Sequence, residues 1–118
     1  MTPPTYLNEL AKRIHVTAAA RGWWKDQPAL EVFGEKIALL HSELSEALEE
    51  WRDWKNTLYF NEFSDHPTKP EGIGAELADV LIRLLDLTAA LNIDIDHIVG
   101  LKMDYNNNRT HRHGGKRA

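Results

Sequence analysis

Apolar residues recur every three or four positions along most of the chain, which is the spacing of one face of an α-helix. The four predicted helices run from about Tyr6 to Gly22, from about Leu30 to about Lys55, from about Gly72 to Leu91, and from a capping Asp94 through Met103. No internal repeat and no convincing strand pattern interrupts them. The sequence therefore predicts an all-α fold, a four-helix bundle.

The third predicted helix is apolar nearly all round, because leucine, isoleucine, valine or alanine fills most positions from Leu77 to Leu91. Such a helix has to be covered on most sides. Three neighbouring helices from one short chain can barely do that. We therefore expect the chain to assemble into a homodimer or homotetramer.

Two segments have no helical period. The stretch from Asn56 to Glu71 is long for a connection within a small domain, and loops of that length are usually functional or mobile. From about residue 107 the chain is rich in asparagine, arginine, histidine and glycine, which predicts an irregular basic tail.

Composition narrows the class of protein. The 118 residues, 42% apolar and 27% charged, are typical of one globular domain spanning 1–118. The absence of cysteine excludes a disulfide framework, a thiol nucleophile and a thiolate metal site. A net charge of −4 is too mild to indicate nucleic-acid binding. With no long apolar run and no signal-peptide pattern, we expect a cytoplasmic protein without a membrane span.

Charge is unevenly distributed. The second predicted helix carries Glu43 and Glu46, and the third carries Glu76 and Asp79, while five basic residues lie between Leu101 and the end. Residues three apart on a helix share a face. A carboxylate pair of this kind is usually a solvated surface, but Glu76 and Asp79 interrupt an otherwise apolar helix.

If the two faces meet, four carboxylates converge, and like charges at that distance require a cation or protonation. Oxygen ligands without cysteine or histidine favour Mg²⁺, with Mn²⁺ able to substitute. Glu50 lies within about 20° of Glu43 on the helical wheel and could join or support the group.

These motifs resemble those of a known family. Residues 40–49 (LHSELSEALE) followed by residues 76–82 (ELADVLI) look like the ExxE…ExxD signature of the MazG-like all-α nucleoside triphosphate pyrophosphohydrolases. Residues 102–109 (KMDYNNNR) and 113–116 (HGGK) resemble the C-terminal segment of that family, the branch with dCTP pyrophosphatase included. Ser42 stands where the family often has a further glutamate, which leaves the number of metal ions open.

The resemblance implies Mg²⁺-dependent hydrolysis of a (deoxy)nucleoside triphosphate to the monophosphate and pyrophosphate. It implies that Glu43, Glu46, Glu76 and Asp79 bind the metal and that Lys102, Asn106 and Arg109 meet the phosphates or the sugar. Glu46 is a candidate general base. Core packing is the default role for each tryptophan, but the resemblance implies that one of Trp23 and Trp24 and one of Trp51 and Trp54 stacks on the base.

Two other functions compete with this one. A ferritin-like di-iron bundle needs Glu-x-x-His pairs, and residues 46 and 79 are Glu and Asp where histidine would stand. A non-catalytic helical oligomer acting as an interaction module would need no metal and would have no use for Glu76 and Asp79.

Overall fold

The computed structural model describes residues 6–108, and within that range every regular element is an α-helix. The helices are α1 (Tyr6–Ala20), α2 (Phe33–Arg52), α3 (Ile73–Ala90) and α4 (Ile95–Asn107). The all-α prediction is confirmed, and the four helices follow one another as predicted. Arg109 and the rest of the predicted basic tail lie outside the described residues. None of the four helices is both long and apolar enough to cross a bilayer.

Helix α2 is shorter than predicted at both ends. Before it, the backbone N–H groups of Glu31 and Val32 bond three residues back, to Pro28 and Ala29, so this stretch forms turns rather than a first α-helical turn. At the other end the helix stops at Arg52 because Trp54 adopts φ +60°, which an α-helix does not accommodate.

The end of α2 is a Schellman motif. The N–H of Lys55 donates to the carbonyl of Glu50, and the N–H of Trp54 donates to that of Trp51. Helices α1 and α3 end with the same pair of bonds, with Gly22 and Asn92 at the left-handed position. Glycine and asparagine favour that conformation, whereas another L-residue loses about 1–2 kcal/mol there. Trp54 is thus the unusual occupant.

The first turns of α1 and α4 bind each other. The Asp96 carboxylate accepts from the backbone N–H groups of Leu7, at 3.2 Å, and Asn8, at 3.0 Å. In return the side-chain oxygen of Asn8 accepts from the N–H of Ile95 at 3.0 Å. Asp94, the predicted N-cap, accepts a backbone N–H of α4, which confirms that prediction. Each helix start therefore satisfies donors of the other.

Helix α3 lies between α1 and α2 and packs against both, while α4 packs mainly against α1. The buried apolar residues among those described are few, and three of the five are alanines: Ala11, Ala18, Ala47, Leu85 and Leu87. On α3 the side chains of Leu77 and Leu81 remain 49% and 47% exposed. One chain therefore covers only part of its apolar helix.

The segment between α2 and α3 is tied at its base. Tyr59 and Glu71 form an isolated antiparallel bridge with two N–H···O bonds of 2.9 Å. Gly72, at φ +113°, turns the chain into α3 so closely that a Cβ there would lie 2.5 Å from the carbonyl oxygen of Asn56. The bridge was not predicted from the sequence, and it fixes Tyr59 beside the C-terminal half of α2.

Candidate metal centre

Packing of α2 against α3 brings three carboxylates together. Glu43 and Glu46 come from adjacent turns of α2, and Glu76 comes from the first turn of α3. One carboxylate oxygen of each lies within 4.8 Å of those of the other two. We call these three residues the carboxylate triplet. Their convergence is what the i, i+3 spacing on two facing helices predicts.

The triplet is only partly satisfied within the chain. Glu43 is 9% exposed, and its Oε2 has no hydrogen-bond partner among the described residues. Oε2 of Glu76 is likewise buried and without a described partner. Because a buried acceptor without a partner loses its hydration, each oxygen destabilises the site unless something else binds it.

Burial and the neighbouring acids together shift the pKa of Glu76. Burial, then a hydrogen bond with Glu46, then the charges of Glu46, Asp79 and Glu43 raise that pKa from 4.5 to about 7. A proton therefore compensates part of the negative charge when no cation is present. The same charge would be compensated by a bound metal ion.

Asp79 lies next to the triplet and is not one of its three members. Burial and the charges of Glu43 and Glu46 raise the pKa of its carboxyl group, while Arg83 and Lys69 oppose that rise. Of the four predicted metal ligands, the structure thus brings three together and places the fourth within their electrostatic field.

Arg83 is a residue that the sequence analysis missed. Its Nε donates to Oε1 of Glu43 at 2.8 Å, and its guanidinium group lies 5.5 Å from the ring centre of Trp23. The sequence did hold a signal, since Arg83 is the single basic residue of α3 and lies one turn after Asp79. One oxygen of Glu43 is therefore paired and the other is left for a ligand.

A hard divalent cation fits the donors that are present. The triplet offers only carboxylate oxygens, two of them buried and without a partner, and Mg²⁺ and Mn²⁺ prefer such ligands. The ion would be held by Glu43, Glu46 and Glu76. The carboxylate of Asp79 is close enough to interact electrostatically with these residues and would support the ion.

A cavity of about 430 Å³ adjoins the triplet and is lined in part by Glu46 and Glu76. Glu50 also lines it, and the hydroxyl of Tyr59 lies 3.0 and 3.2 Å from the two carboxylate oxygens of Glu50, to which it donates. Burial, followed by the bond to Glu50, raises the pKa of Tyr59, so the hydroxyl stays protonated. Glu50 thus lies on the wall of the cavity beside the triplet, and its partner Tyr59 was not predicted. That Glu50 joins or supports the metal-binding group stays a prediction.

Three of the candidate tryptophans have different surroundings. Trp24 donates its indole N–H to both carboxylate oxygens of Asp86, at 2.9 and 3.0 Å, and Asp86 also contacts Nδ1 of His15 at 2.7 Å. Trp23 is half-exposed against Arg83, and Trp54 is 94% exposed. Trp54 therefore has the most surface available for a ligand, while the polar end of Trp24 already has a partner.

Asp86 was also missed. Asp86 is 4% exposed. The sequence held a signal for it, because an acid among apolar residues is the pattern that singled out Glu76 and Asp79.

Helix α4 carries Lys102 and Asn106, and neither lines the cavity beside the triplet. The ammonium group of Lys102 instead lies 5.5 Å from the ring centre of Tyr105. Within one chain the structure therefore does not join these two predicted substrate contacts to the acidic residues. The third, Arg109, lies outside the described residues.

The site thus combines clustered carboxylates, two unpartnered buried oxygens, an adjoining cavity and exposed aromatic surface. These are the parts from which a protein can bind a divalent cation together with a phosphorylated ligand. Comparisons of the chain with protein-family models, with curated proteins and with solved structures found no match.

Proposed function

We propose that the chain is a cytoplasmic, Mg²⁺-dependent nucleoside triphosphate pyrophosphohydrolase of the MazG-like kind, which removes unwanted (deoxy)nucleotides from the pool. It would convert the triphosphate to the monophosphate and pyrophosphate. The carboxylate triplet carries the proposal. Three carboxylates from two helices lie within 4.8 Å of one another, and two of their buried oxygens lack a partner.

Each part of the site has a role in this reaction. Glu43, Glu46 and Glu76 would hold the ion, with Asp79 beside them, and Mg²⁺ when bound neutralises charge on phosphate oxygens. Glu46 lies both in the triplet and on the cavity wall. In the proposed reaction its carboxylate would accept the proton of the attacking water.

The base would stack on an exposed tryptophan. Trp54 occupies a strained left-handed position, and 94% of its surface is exposed, so its ring buries almost no area in the fold. Strain retained at an exposed residue is typical of a functional contact. Trp23 is the second candidate, since one side of its ring is covered by Arg83 and it remains 45% exposed.

A second copy of the chain would complete the bundle. Exposed leucines on α3, such as Leu81 and Leu84, leave apolar surface for a dimer or tetramer interface. In such an assembly Lys102, Asn106 and Arg109 of one subunit would reach the phosphates bound by another.

The assembly can be tested by light scattering. We expect a dimer or tetramer for the wild type, and a monomer or insoluble protein for Leu81→Glu, since the substitution buries a charge. Leu30→Glu is the matched control, because Leu30 is 76% exposed and lies outside the helices. A monomeric wild type would refute the proposed assembly.

The activity can be tested by incubating the wild type with a panel of nucleotides and Mg²⁺ and measuring pyrophosphate. We expect turnover of at least one triphosphate, which EDTA abolishes. Glu46→Gln should abolish turnover, Asp79→Asn should reduce it, and both variants should leave the helical circular dichroism intact. Loss of a metal ligand should exceed the roughly 10–100-fold cost of a residue that only supports a ligand. Glu9→Gln on α1 is the matched control.

The same assay separates the alternative function. A non-catalytic oligomer would release no pyrophosphate from any nucleotide, and Mg²⁺ would not change its melting temperature. Near-wild-type activity in both Glu46→Gln and Asp79→Asn would instead mean that the protein is an enzyme whose active site lies elsewhere in the chain.

A further inference from the structure

The cavity beside the triplet contains one cation among the described residues that line it. Five of those residues are acids, two are serines, and the remaining one is Lys55. Two of the five acids, Glu46 and Glu76, belong to the triplet as well. A polyphosphate chain extending from the metal into this cavity would meet mostly negative charge, with Lys55 as the attractive group.

The strained turn at the end of α2 places Lys55 there. Trp54 adopts φ +60°, and the N–H of Lys55 then bonds back to the carbonyl of Glu50. Had the helix continued through residue 54, Lys55 would follow the helical path away from the turn. The chain therefore adopts an unfavourable conformation at Trp54, and a consequence is that Lys55 lines the cavity.

The ammonium group of Lys55 has no carboxylate partner within 4.0 Å among residues 6–108, although acids surround it. The ammonium group lies 6.0 Å from the ring centre of Tyr59, at the outer limit of a cation–π interaction. The neighbouring acid, Glu50, has both oxygens within hydrogen-bond reach of the Tyr59 hydroxyl. The Tyr59 hydroxyl thus shares the Glu50 carboxylate, and no carboxylate of residues 6–108 lies within ion-pair distance of the Lys55 ammonium group, whose donors are therefore open to a ligand.

We infer that Lys55 binds the phosphate chain of the substrate in this cavity, on oxygens that the metal does not engage. This inference rests on the proposed function and assigns one further binding residue to it. A triphosphate carries about four negative charges and one Mg²⁺ offsets two of them, so a cation on the cavity wall lowers the remaining repulsion. The hydroxyls of Ser42 and Ser45, which also line the cavity, can donate hydrogen bonds to the same chain.

The test compares Lys55→Gln, Lys55→Arg and the wild type. KM and kcat are measured with the best nucleotide of the panel, and the dissociation constants of inorganic triphosphate and of the nucleoside monophosphate are measured by titration with Mg²⁺ present. Lys55→Gln should raise KM and weaken inorganic triphosphate binding about tenfold, since a hydrogen bond to a charged group is lost. It should change kcat and monophosphate binding much less. Lys55→Arg should recover most of the affinity.

Lys12→Gln is the matched control, because it removes the same charge from an exposed lysine of α1 that lines a different cavity. Its KM should equal that of the wild type. An active wild type together with unchanged KM and triphosphate affinity in Lys55→Gln would overturn the inference and leave the proposed function standing. Lys55→Arg as weak as Lys55→Gln would overturn it too. If the wild type hydrolyses no nucleotide of the panel, that result contradicts the proposed function itself.

Discussion

Arg83 donates to Oε1 of Glu43 at 2.8 Å and leaves Oε2 of the same carboxylate buried without a described partner. The side chains of Arg83 and Glu43 are 29% and 12% exposed. Arg83 thus compensates charge in the metal-free site and competes with a metal for one of its ligands. Removing the Arg83 guanidinium group should therefore destabilise the metal-free protein and strengthen the binding of the metal.

Arg83→Gln should lower the free energy of unfolding in EDTA by about 1–3 kcal/mol, because Glu43 loses its charged partner. It should also increase the stabilisation that Mg²⁺ provides, since both oxygens of Glu43 become available. Urea unfolding with EDTA and with Mg²⁺ measures both effects. Arg52→Gln is the control: Arg52 and Glu49 form an exposed pair, so its effect should stay within about 1 kcal/mol. Equal Mg²⁺ stabilisation in Arg83→Gln and wild type would contradict the competition.

Stability of the metal-free protein should fall as the pH rises through about 7. The pKa of Glu76 is about 7 in the folded chain and 4.5 without the fold, so the native state keeps a proton that the unfolded state releases. That contribution is complete below pH 4.5 and is lost as the pH rises through 7. Urea unfolding in EDTA across this range should show the loss, and Glu76→Gln should reduce the slope.

Addition of Mg²⁺ should oppose this trend, because the metal binds the deprotonated carboxylates and competes with the proton. Glu9→Gln should leave the slope unchanged. If the slope in EDTA were the same in Glu76→Gln as in the wild type, another group would be responsible.

The helices and the acidic residues could be predicted from the sequence because both follow from local spacing. The three- to four-residue spacing of apolar residues located the four helices. The i, i+3 spacing of the acids placed Glu43, Glu46 and Glu76 on two helix faces, and those faces do meet. The N-cap Asp94 was equally local. Each of these features depends on the sequence of one helix, or on the single assumption that the acidic faces of α2 and α3 pack together.

Contacts between distant segments could not be predicted in this way. Arg83 reaches Glu43 across 40 residues, and Asp86 meets Trp24 across 62, so both depend on the relative rotation of packed elements. Tyr59 reaches Glu50 only because a backbone bridge closes its loop. The early end of α2 was missed because tryptophan has no preference for the left-handed position that ends it.

Trp54→Gly should raise the free energy of unfolding by up to about 1 kcal/mol. Glycine removes the strain of the left-handed conformation and loses part of that gain to greater backbone entropy in the unfolded chain. The same variant should weaken nucleotide binding, since base–aromatic stacking contributes roughly 1–3 kcal/mol. Asn92→Gly, at the equivalent position after α3, is the control and should change stability less, because asparagine tolerates this conformation. A destabilised Trp54→Gly would show that the indole stabilises the fold.

Alanine should be tolerated at Gly34 and harmful at Gly72. A Cβ at Gly34 meets nothing within 4 Å, so Gly34→Ala should be neutral or stabilise α2 by up to about 1 kcal/mol. A Cβ at Gly72 would lie 2.5 Å from the carbonyl oxygen of Asn56, at φ +113°. Gly72→Ala should therefore cost about 1–3 kcal/mol or more. Thermal unfolding of the pair measures the difference, and equal melting temperatures would contradict the close approach.

The mutual capping of α1 and α4 should behave as one cooperative unit. Asn8→Ala and Asp96→Ala each remove a cap, at a cost of about 1 kcal/mol or somewhat more. Each side chain bonds to the backbone beside the other, so both caps need the two helix starts to stay together. Once one substitution separates them, the second has less to remove, and the double variant should lose at least about 0.5 kcal/mol less than the sum. Urea unfolding of the four proteins measures this coupling. Additive losses would mean that the two caps form independently and that α4 is held against α1 by its apolar contacts.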